Sequence, residues 1–281
     1  MKNYLSLIKF SHTVFALPFA MIGFFLAVWL EGFPFSWQKL LLVLGCMVFA
    51  RSAAMAFNRL IDEQYDRKNP RTAQREIPAG IISRSAAAIF TVACIIAFIS
   101  CTYFINPLCF YLSPIALIII LGYSYTKRFT DFSHFVLGLG LALAPVGAYL
   151  AVTGFFSILP VLLGIAVLCW VSGFDIIYAL QDVSFDKEQS LHSVPVWMGQ
   201  KKALMISSLV HLLSIVALTA VGMLGHFGGW YWAGWIIFTA LLFYQHSIVK
   251  PNDLARVNVA FFTTNGVASV IFAIFVLIDI F

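Results

Sequence analysis

Charge is scarce in this chain. Of its 281 residues, 17 are Lys or Arg and 12 are Asp or Glu, 10% in all, against about 25% in ordinary soluble domains. With 62% hydrophobic residues and a mean hydropathy of +0.95, that shortage excludes a water-soluble globular fold and predicts an integral membrane protein. Metal-type cysteine spacing is also missing. Cys46, Cys94, Cys101, Cys109 and Cys169 all lie inside apolar runs, so buried, unreactive thiols are expected. A cleavage pattern after Lys9 is lacking, which makes the first apolar run an expected span and not a signal peptide. Domain boundaries and low-complexity tracts are absent too, so residues 1–281 read as a single domain. The net charge of +5 sits in particular loops; it marks topology and gives no support for a nucleic-acid partner.

Long apolar runs are what the chain does have. They fall near 13–30, 39–62, 85–104, 107–126, 133–153, 158–181, 203–224, 228–247 and 258–280, each near the roughly 20 residues needed to cross hydrocarbon. The expectation is an all-α fold of nine transmembrane helices. Lys and Arg alternate sides: Lys2 and Lys9 precede the first run, five basic residues from Arg67 to Arg84 follow the second, and Lys127 and Arg128 follow the fourth. Lys187, Lys201 and Lys202 follow the sixth, Lys250 and Arg256 the eighth, and the other connections carry only Lys39. By the positive-inside rule the N-terminus is cytoplasmic and the C-terminus outside.

Polar residues at membrane depth are costly and point to function. Arg51, Asn58, Asp62 and Asp66 are spaced by seven, four and four residues, which in one helix gathers them into a single stripe. Asp175, Asp182 and Asp186 repeat the seven-plus-four step. Both stripes end an apolar run, enter one of the two long connections (63–84 and 182–202), and open to the cytoplasmic side. Clustered carboxylates repel unless a cation sits among them. Hard oxygen ligands suit Mg²⁺, which is held by a few carboxylates together with substrate phosphates. The predicted site therefore takes a metal–phosphate substrate at the rim of an apolar cavity. Arg71, Arg75 and Lys127 are the expected phosphate contacts, with Lys187 beside Asp186 as a further cation. His134, His192, His211, His226 and His246 show no ligand spacing, and His192 is expected to help cover the site from the second long loop.

These residues resemble the UbiA superfamily of intramembrane prenyltransferases. Asn58, Asp62 and Asp66 match its first acidic signature. Asp175, Tyr178, Ala179, Asp182 and Asp186 match the second. Tyr123 and Lys127 resemble its Tyr-x-x-x-Lys, and Arg71, Thr72, Arg75, Pro78 and Gly80 its basic stretch. The segments KFSHTVFALPFA, FNRLID and DVSFDKEQSLHSVPVWMG are most similar to the quinone-pathway aromatic prenyltransferases, of the 4-hydroxybenzoate polyprenyltransferase kind and the branch serving menaquinone made through futalosine. Arg59 departs from the pattern, standing where most members carry the first acid.

The resemblance implies nine helices around a central cavity, with cytoplasmic cap loops after the second and sixth, in the inner membrane. It implies Mg²⁺ held by Asn58, Asp62, Asp66, Asp182 and Asp186. A polyprenyl diphosphate is bound by Tyr123, Arg71, Arg75, Lys127 and Lys187, its tail lying between helices open to the lipid bilayer. A small aromatic acceptor attacks the allylic cation left when the diphosphate departs. Catalysis falls to Asp62, Asp66, Asp175, Asp182, Asp186 and Lys127, with Asp175 orienting or deprotonating the acceptor. Arg51, His12 and Tyr178 are the expected acceptor contacts, although Arg51 also admits an ion pair with Asp175. Haem, chlorophyll-like or lipid acceptors are same-family alternatives. A transporter is the alternative from another class, and it expects charges midway across the membrane, whereas these acids gather at one face. The Asp-Gly-x-x-Ala-Arg core of CDP-alcohol phosphotransferases is absent.

Overall fold

A computed structural model of the chain describes residues 2–7 and 15–281, and His12 lies outside those residues. The described chain is helical. A short α1 (Lys2–Leu7) precedes α2 (Leu17–Glu31) and α3 (Trp37–Ile61), and one turn of helix, α4 (Glu63–Asp66), follows. Next come α5 (Arg84–Ile105), α6 (Pro107–Thr126), α7 (Ser133–Thr153) and α8 (Ile158–Ala179). A 3₁₀ turn at Leu180–Asp182 leads to α9 (Val183–Glu188) and α10 (Val194–Met198). The chain closes with α11 (Gln200–Leu224), α12 (Gly229–Ile248), a π-helical stretch over Val259–Thr264 and α13 (Asn265–Ile280).

Among the described residues, seven helices are long and apolar enough to span a membrane, namely α3, α5, α6, α7, α8 with its continuation to Glu188, α11, and Val259–Ile280. Two of the nine expected spans fall short of that measure for separate reasons. α2 is apolar but has only 15 residues, and α12 dilutes its run with Trp, Tyr, Gln245 and His246. The protein is a multi-pass membrane protein.

Outward faces match lipid. Ile89, Ile118, Tyr111 and Phe243 are all more than two-thirds exposed, whereas Trp170, Tyr149 and Tyr231 are fully buried between helices. Buried polar tips find partners: Trp170 Nε1 donates to Asn265 Oδ1 at 2.8 Å, and Tyr231 Oη to the Leu218 carbonyl at 2.6 Å. Close approach relies on small residues, as expected without a hydrophobic force between helices in lipid. A Cβ on Gly23 of α2 would lie 2.1 Å from the Pro145 carbonyl oxygen of α7. The cysteine expectation is corrected in part. All five thiols are free, but Cys46 and Cys101 are only half-buried.

The two long connections meet each other. After α4 the chain runs through successive turns, and Gly80 (φ +73°) supplies the left-handed residue that carries it into α5. Ile77 and Ile82 anchor this connection against Leu7, Ala56 and Ala87. Lys68 Nζ donates to Gln189 Oε1 at 3.1 Å, tying it to the second connection.

Candidate active site

Each acidic stripe was expected on one continuous helix, and the structure corrects this. α3 ends at Ile61 and Asp62 lies at a break with φ −91°, ψ 6°. Asp182 closes a 3₁₀ turn with φ −103°, ψ 3°. The middle acid of both motifs thus adopts the same bridge conformation, sparsely populated and frequent at active sites. A short carboxylate competes with helical hydrogen bonding and favours such positions where the helix meets water. The break redirects the last acid of each motif, so Asp66 and Asp186 turn inward and are 6% and 2% exposed.

The two motifs converge on one polar pocket of about 220 Å³. Five carboxylates line it (Asp62, Asp66, Asp175, Asp182 and Asp186), together with four cations (Arg71, Arg75, Lys127 and Arg128). The motif acids pair with different cations. Arg71 donates from Nε and Nη2 to the two oxygens of Asp182 at 3.1 and 2.7 Å, and from Nη1 to Tyr178 Oη at 2.6 Å. Arg75 Nη1 meets Asp66 Oδ1 at 2.6 Å. Lys127 Nζ stands 3.7 Å from Asp186 Oδ2. Asn58 Nδ2 donates to Asp62 Oδ2 at 2.8 Å, and Arg128 Nη2 reaches Asp62 Oδ1 at 3.3 Å.

Burial works against the Lys127 ammonium, but Asp186, Asp175, Asp182 and Asp62 outweigh it and hold its pKa above the ordinary lysine value. Arg71 is likewise pushed up by Asp182 and Tyr178 against the pull of burial. Both are therefore cations throughout the physiological range.

Tyr123 and Leu137 line this pocket and also a second, apolar cavity of about 340 Å³ between α3, α5, α6 and α7. The charged pocket and the hydrophobic chamber thus adjoin, with these two side chains as their shared wall. Arg51 lines the chamber and not the polar pocket, and its Nε is buried without a hydrogen-bond partner. The expected alternative of an Arg51–Asp175 pair does not form, because Asp175 Oδ2 instead meets His134 Nδ1 at 2.7 Å. Lys187 does not join the site: it is exposed and lines neither cavity. His192 bridges toward the rim, its N–H donating to the Lys127 carbonyl at 2.7 Å. Arg59 is buried, 3.9 Å from Asp66 Oδ2, so the departing residue of the first motif supplies a second positive neighbour for Asp66.

Sequence reasoning passed over several residues of the pocket. Arg128, adjacent to the chosen Lys127, pairs with Asp62 and lies over the Tyr65 and Tyr125 rings at 5.3 and 5.2 Å. Ser124 and Ser133 line the pocket with buried hydroxyls that have no partner. A seryl hydroxyl leaves no spacing signal. The doublet of Lys127 and Arg128 did carry a signal, since both cations follow the same helix end.

A membrane-embedded helical bundle with two converging Asp motifs, a ring of cations and an adjoining apolar chamber defines a class: intramembrane enzymes acting on a substrate with a charged head and a hydrophobic tail. The UbiA prenyltransferase family model matches residues 16–267, so the chain belongs to that family and is a prenyltransferase. Over 250 residues it is 30% identical to a 4-hydroxybenzoate octaprenyltransferase of Aeromonas hydrophila, covering 88% of this chain and 86% of the relative. A 4-hydroxybenzoate octaprenyltransferase of Edwardsiella ictaluri is also 30% identical, over 248 residues, covering 88% and 86%. The apo structure of a UbiA homologue from Aeropyrum pernix superimposes with a TM-score of 0.86 at 29% identity, covering 96% of this chain and 98% of that one. The fold is also that of a UbiA homologue from Archaeoglobus fulgidus bound to DMAPP and Mg²⁺ (TM-score 0.75, 20% identity, 99% of both chains).

Proposed function

We propose that this prenyltransferase moves a polyprenyl group from a polyprenyl diphosphate to a small aromatic acid, of the 4-hydroxybenzoate or 1,4-dihydroxy-6-naphthoate type, in quinone biosynthesis. The observation that carries the reading is the adjacency, across Tyr123 and Leu137, of the charged pocket and the apolar chamber. The names of the curated relatives support a hydroxybenzoate-type acceptor.

The donor set fits Mg²⁺. Asp66 Oδ2 and Asp186 Oδ2 are buried carboxyl oxygens that accept no hydrogen bond, and hard oxygen ligands favour this ion. Mg²⁺ is usually held by a few carboxylates together with substrate phosphates. Asn58, Asp62, Asp66, Asp182 and Asp186 would hold it, and when bound it neutralises charge on the departing diphosphate.

The remaining steps belong to the chain's side chains. Arg71, Arg75 and Lys127 bind the phosphate oxygens, and Arg128 supplies a further cation at the same rim. The apolar chamber takes the first isoprene units and keeps water from the allylic cation. Arg51 meets the acceptor's carboxylate from the chamber wall, where its buried Nε has no hydrogen-bond partner in the protein. Asp175 faces the acceptor from the pocket wall. An Arg51→Leu enzyme is expected to lose about 10²-fold in kcat/KM for the acceptor, with the KM for prenyl diphosphate unchanged. An unchanged acceptor KM would remove Arg51 from this role.

We further propose nine membrane crossings in the inner membrane, the N-terminus and the pocket facing the cytoplasm. The placement of Lys and Arg supports it. A phosphatase reporter fused after Phe281 should then be active on the periplasmic side, and activity of a cytoplasmic reporter at that position would reverse the orientation.

The function itself is tested in membranes supplied with Mg²⁺, a long-chain polyprenyl diphosphate, and each acceptor in turn. Prenylated product with one of the two acceptors, abolished by EDTA, is expected and selects the pathway. Absence of both product and diphosphate release would overturn the proposal.

A further inference from the structure

His134 is fully buried in the first turn of α7, and its ring is unlike an ordinary core histidine. Nδ1 lies 2.7 Å from Asp175 Oδ2, while Nε2 is buried and has no partner. A carboxylate only accepts hydrogen bonds, so Nδ1 carries the proton and donates it. Nε2 is then the ring atom left without a partner. His134 lines neither cavity, whereas Asp175 lines the polar pocket. The histidine thus stands behind the aspartate, on the side away from substrate.

The seam that holds this pair is built to close tolerance. Ser172, three residues before Asp175, donates to the His134 carbonyl at 3.2 Å. One turn further along α7, a Cβ on Gly138 would come within 2.5 Å of the Leu168 carbonyl oxygen and of Ser172 Oγ. With α7 and α8 in such close contact, the ring has little freedom to leave Asp175. Among the described residues Asp175 Oδ1 makes no hydrogen bond, so one oxygen of this pocket-lining carboxylate is fixed and the other is left without a partner.

We propose that His134 is a positioning residue for the acceptor half of the reaction: it fixes Asp175 so that Oδ1 meets the acceptor's ring hydroxyl. This rests on the function proposed above. The prenyl C1–O bond breaks with its electron pair on the diphosphate. The ring carbon beside the hydroxyl forms the new bond to C1 with a π pair. The hydroxyl proton is shared with Asp175 Oδ1 as positive charge builds on the ring, and the proton on the substituted carbon leaves to the departed diphosphate, restoring aromaticity. His134 transfers no proton. It sets the direction of the carboxylate, and a misplaced group at a reacting centre costs about 10²-fold in rate.

The test compares side chains that do and do not place an N–H where Nδ1 stands. An asparagine amide reaches that position, whereas a glutamine amide lies one bond beyond it and phenylalanine has no donor. With Mg²⁺, prenyl diphosphate and whichever acceptor the wild-type enzyme turns over, His134→Asn should keep its rate within several-fold. His134→Gln and His134→Phe should lose about 10²-fold in kcat/KM for the acceptor, with unchanged KM for prenyl diphosphate. His134→Phe should add little to Asp175→Asn, because the two residues act as a unit. If glutamine serves as well as asparagine, if the losses are shared by both substrates, or if they multiply with that of Asp175→Asn, the proposal fails. Should the phenylalanine variant not fold, the asparagine–glutamine comparison decides alone. A wild-type enzyme that prenylates neither aromatic acid would instead sink the functional reading, a separate outcome.

Discussion

Asp182→Asn should lower prenyl transfer by about 10³-fold, the scale seen when a charge-stabilising group is removed from an active site. Asparagine keeps the shape of the side chain and one oxygen acceptor for the Arg71 guanidinium, so the protein should fold. What disappears is one negative charge. The pocket lining has five carboxylates against four cations, a formal balance of −5 + 4 = −1, and the substitution brings it to zero. A pocket near neutrality attracts a divalent cation weakly and depends on the substrate's phosphates to complete the site. Losing one of the few fixed anions therefore weakens metal binding directly. Asp62→Asn should behave alike, since the two residues occupy equivalent breaks in their motifs. Asp253→Asn, at an exposed residue that lines neither cavity, is the control and should retain wild-type rates.

Arg71→Lys should be nearly as damaging, with about 10²-fold lost in kcat/KM for the prenyl diphosphate and little change in acceptor KM. Charge is conserved in this variant, so the effect isolates geometry. The Arg71 guanidinium makes three hydrogen bonds in one plane, two to Asp182 and one to Tyr178, and it also lies 5.2 Å from the Tyr178 ring centroid. Lysine is a point charge without that fork. It can neutralise Asp182 but cannot hold Asp182 and Tyr178 together, nor offer two parallel donors to a phosphate. Steady-state kinetics with each substrate varied separately would show the effect, and wild-type kcat/KM for the diphosphate would refute it.

How much of this was legible in the sequence depends on the range of each interaction. The seven-plus-four spacing of Asp175, Asp182 and Asp186 is local, and so is its counterpart from Arg51 to Asp66; both could be read as paired motifs, and they do meet. The apolar runs predict helices close to where they occur, because a spanning segment has to satisfy its own backbone. The breaks at Asp62 and Asp182 were not legible, because periodicity assumes a helix that continues. Nor were the partners. Asp175 finds His134, which lies 41 residues earlier, and Asp62 finds Arg128, 66 residues later; neither separation leaves a pattern along the chain. Lys187 shows the opposite error, since adjacency to Asp186 in sequence placed its side chain outside the pocket. Arg59 is the instructive exception: the sequence shows a missing acid, and the structure shows the guanidinium beside Asp66, close to the end of the same motif.

The central claim is that both acidic motifs form one metal-dependent diphosphate site. The most direct measurement is the thermal stability of the purified protein with a non-reactive prenyl thiolodiphosphate, with and without Mg²⁺. At about 100 times its Kd a ligand adds roughly 2.7 kcal/mol to stability, a readily measured rise in Tm. The account predicts that rise in the wild-type protein only when Mg²⁺ and the analogue are both present, and its loss in both Asp62→Asn and Asp182→Asn. An equal rise without Mg²⁺, or one that survives in both variants, would contradict it.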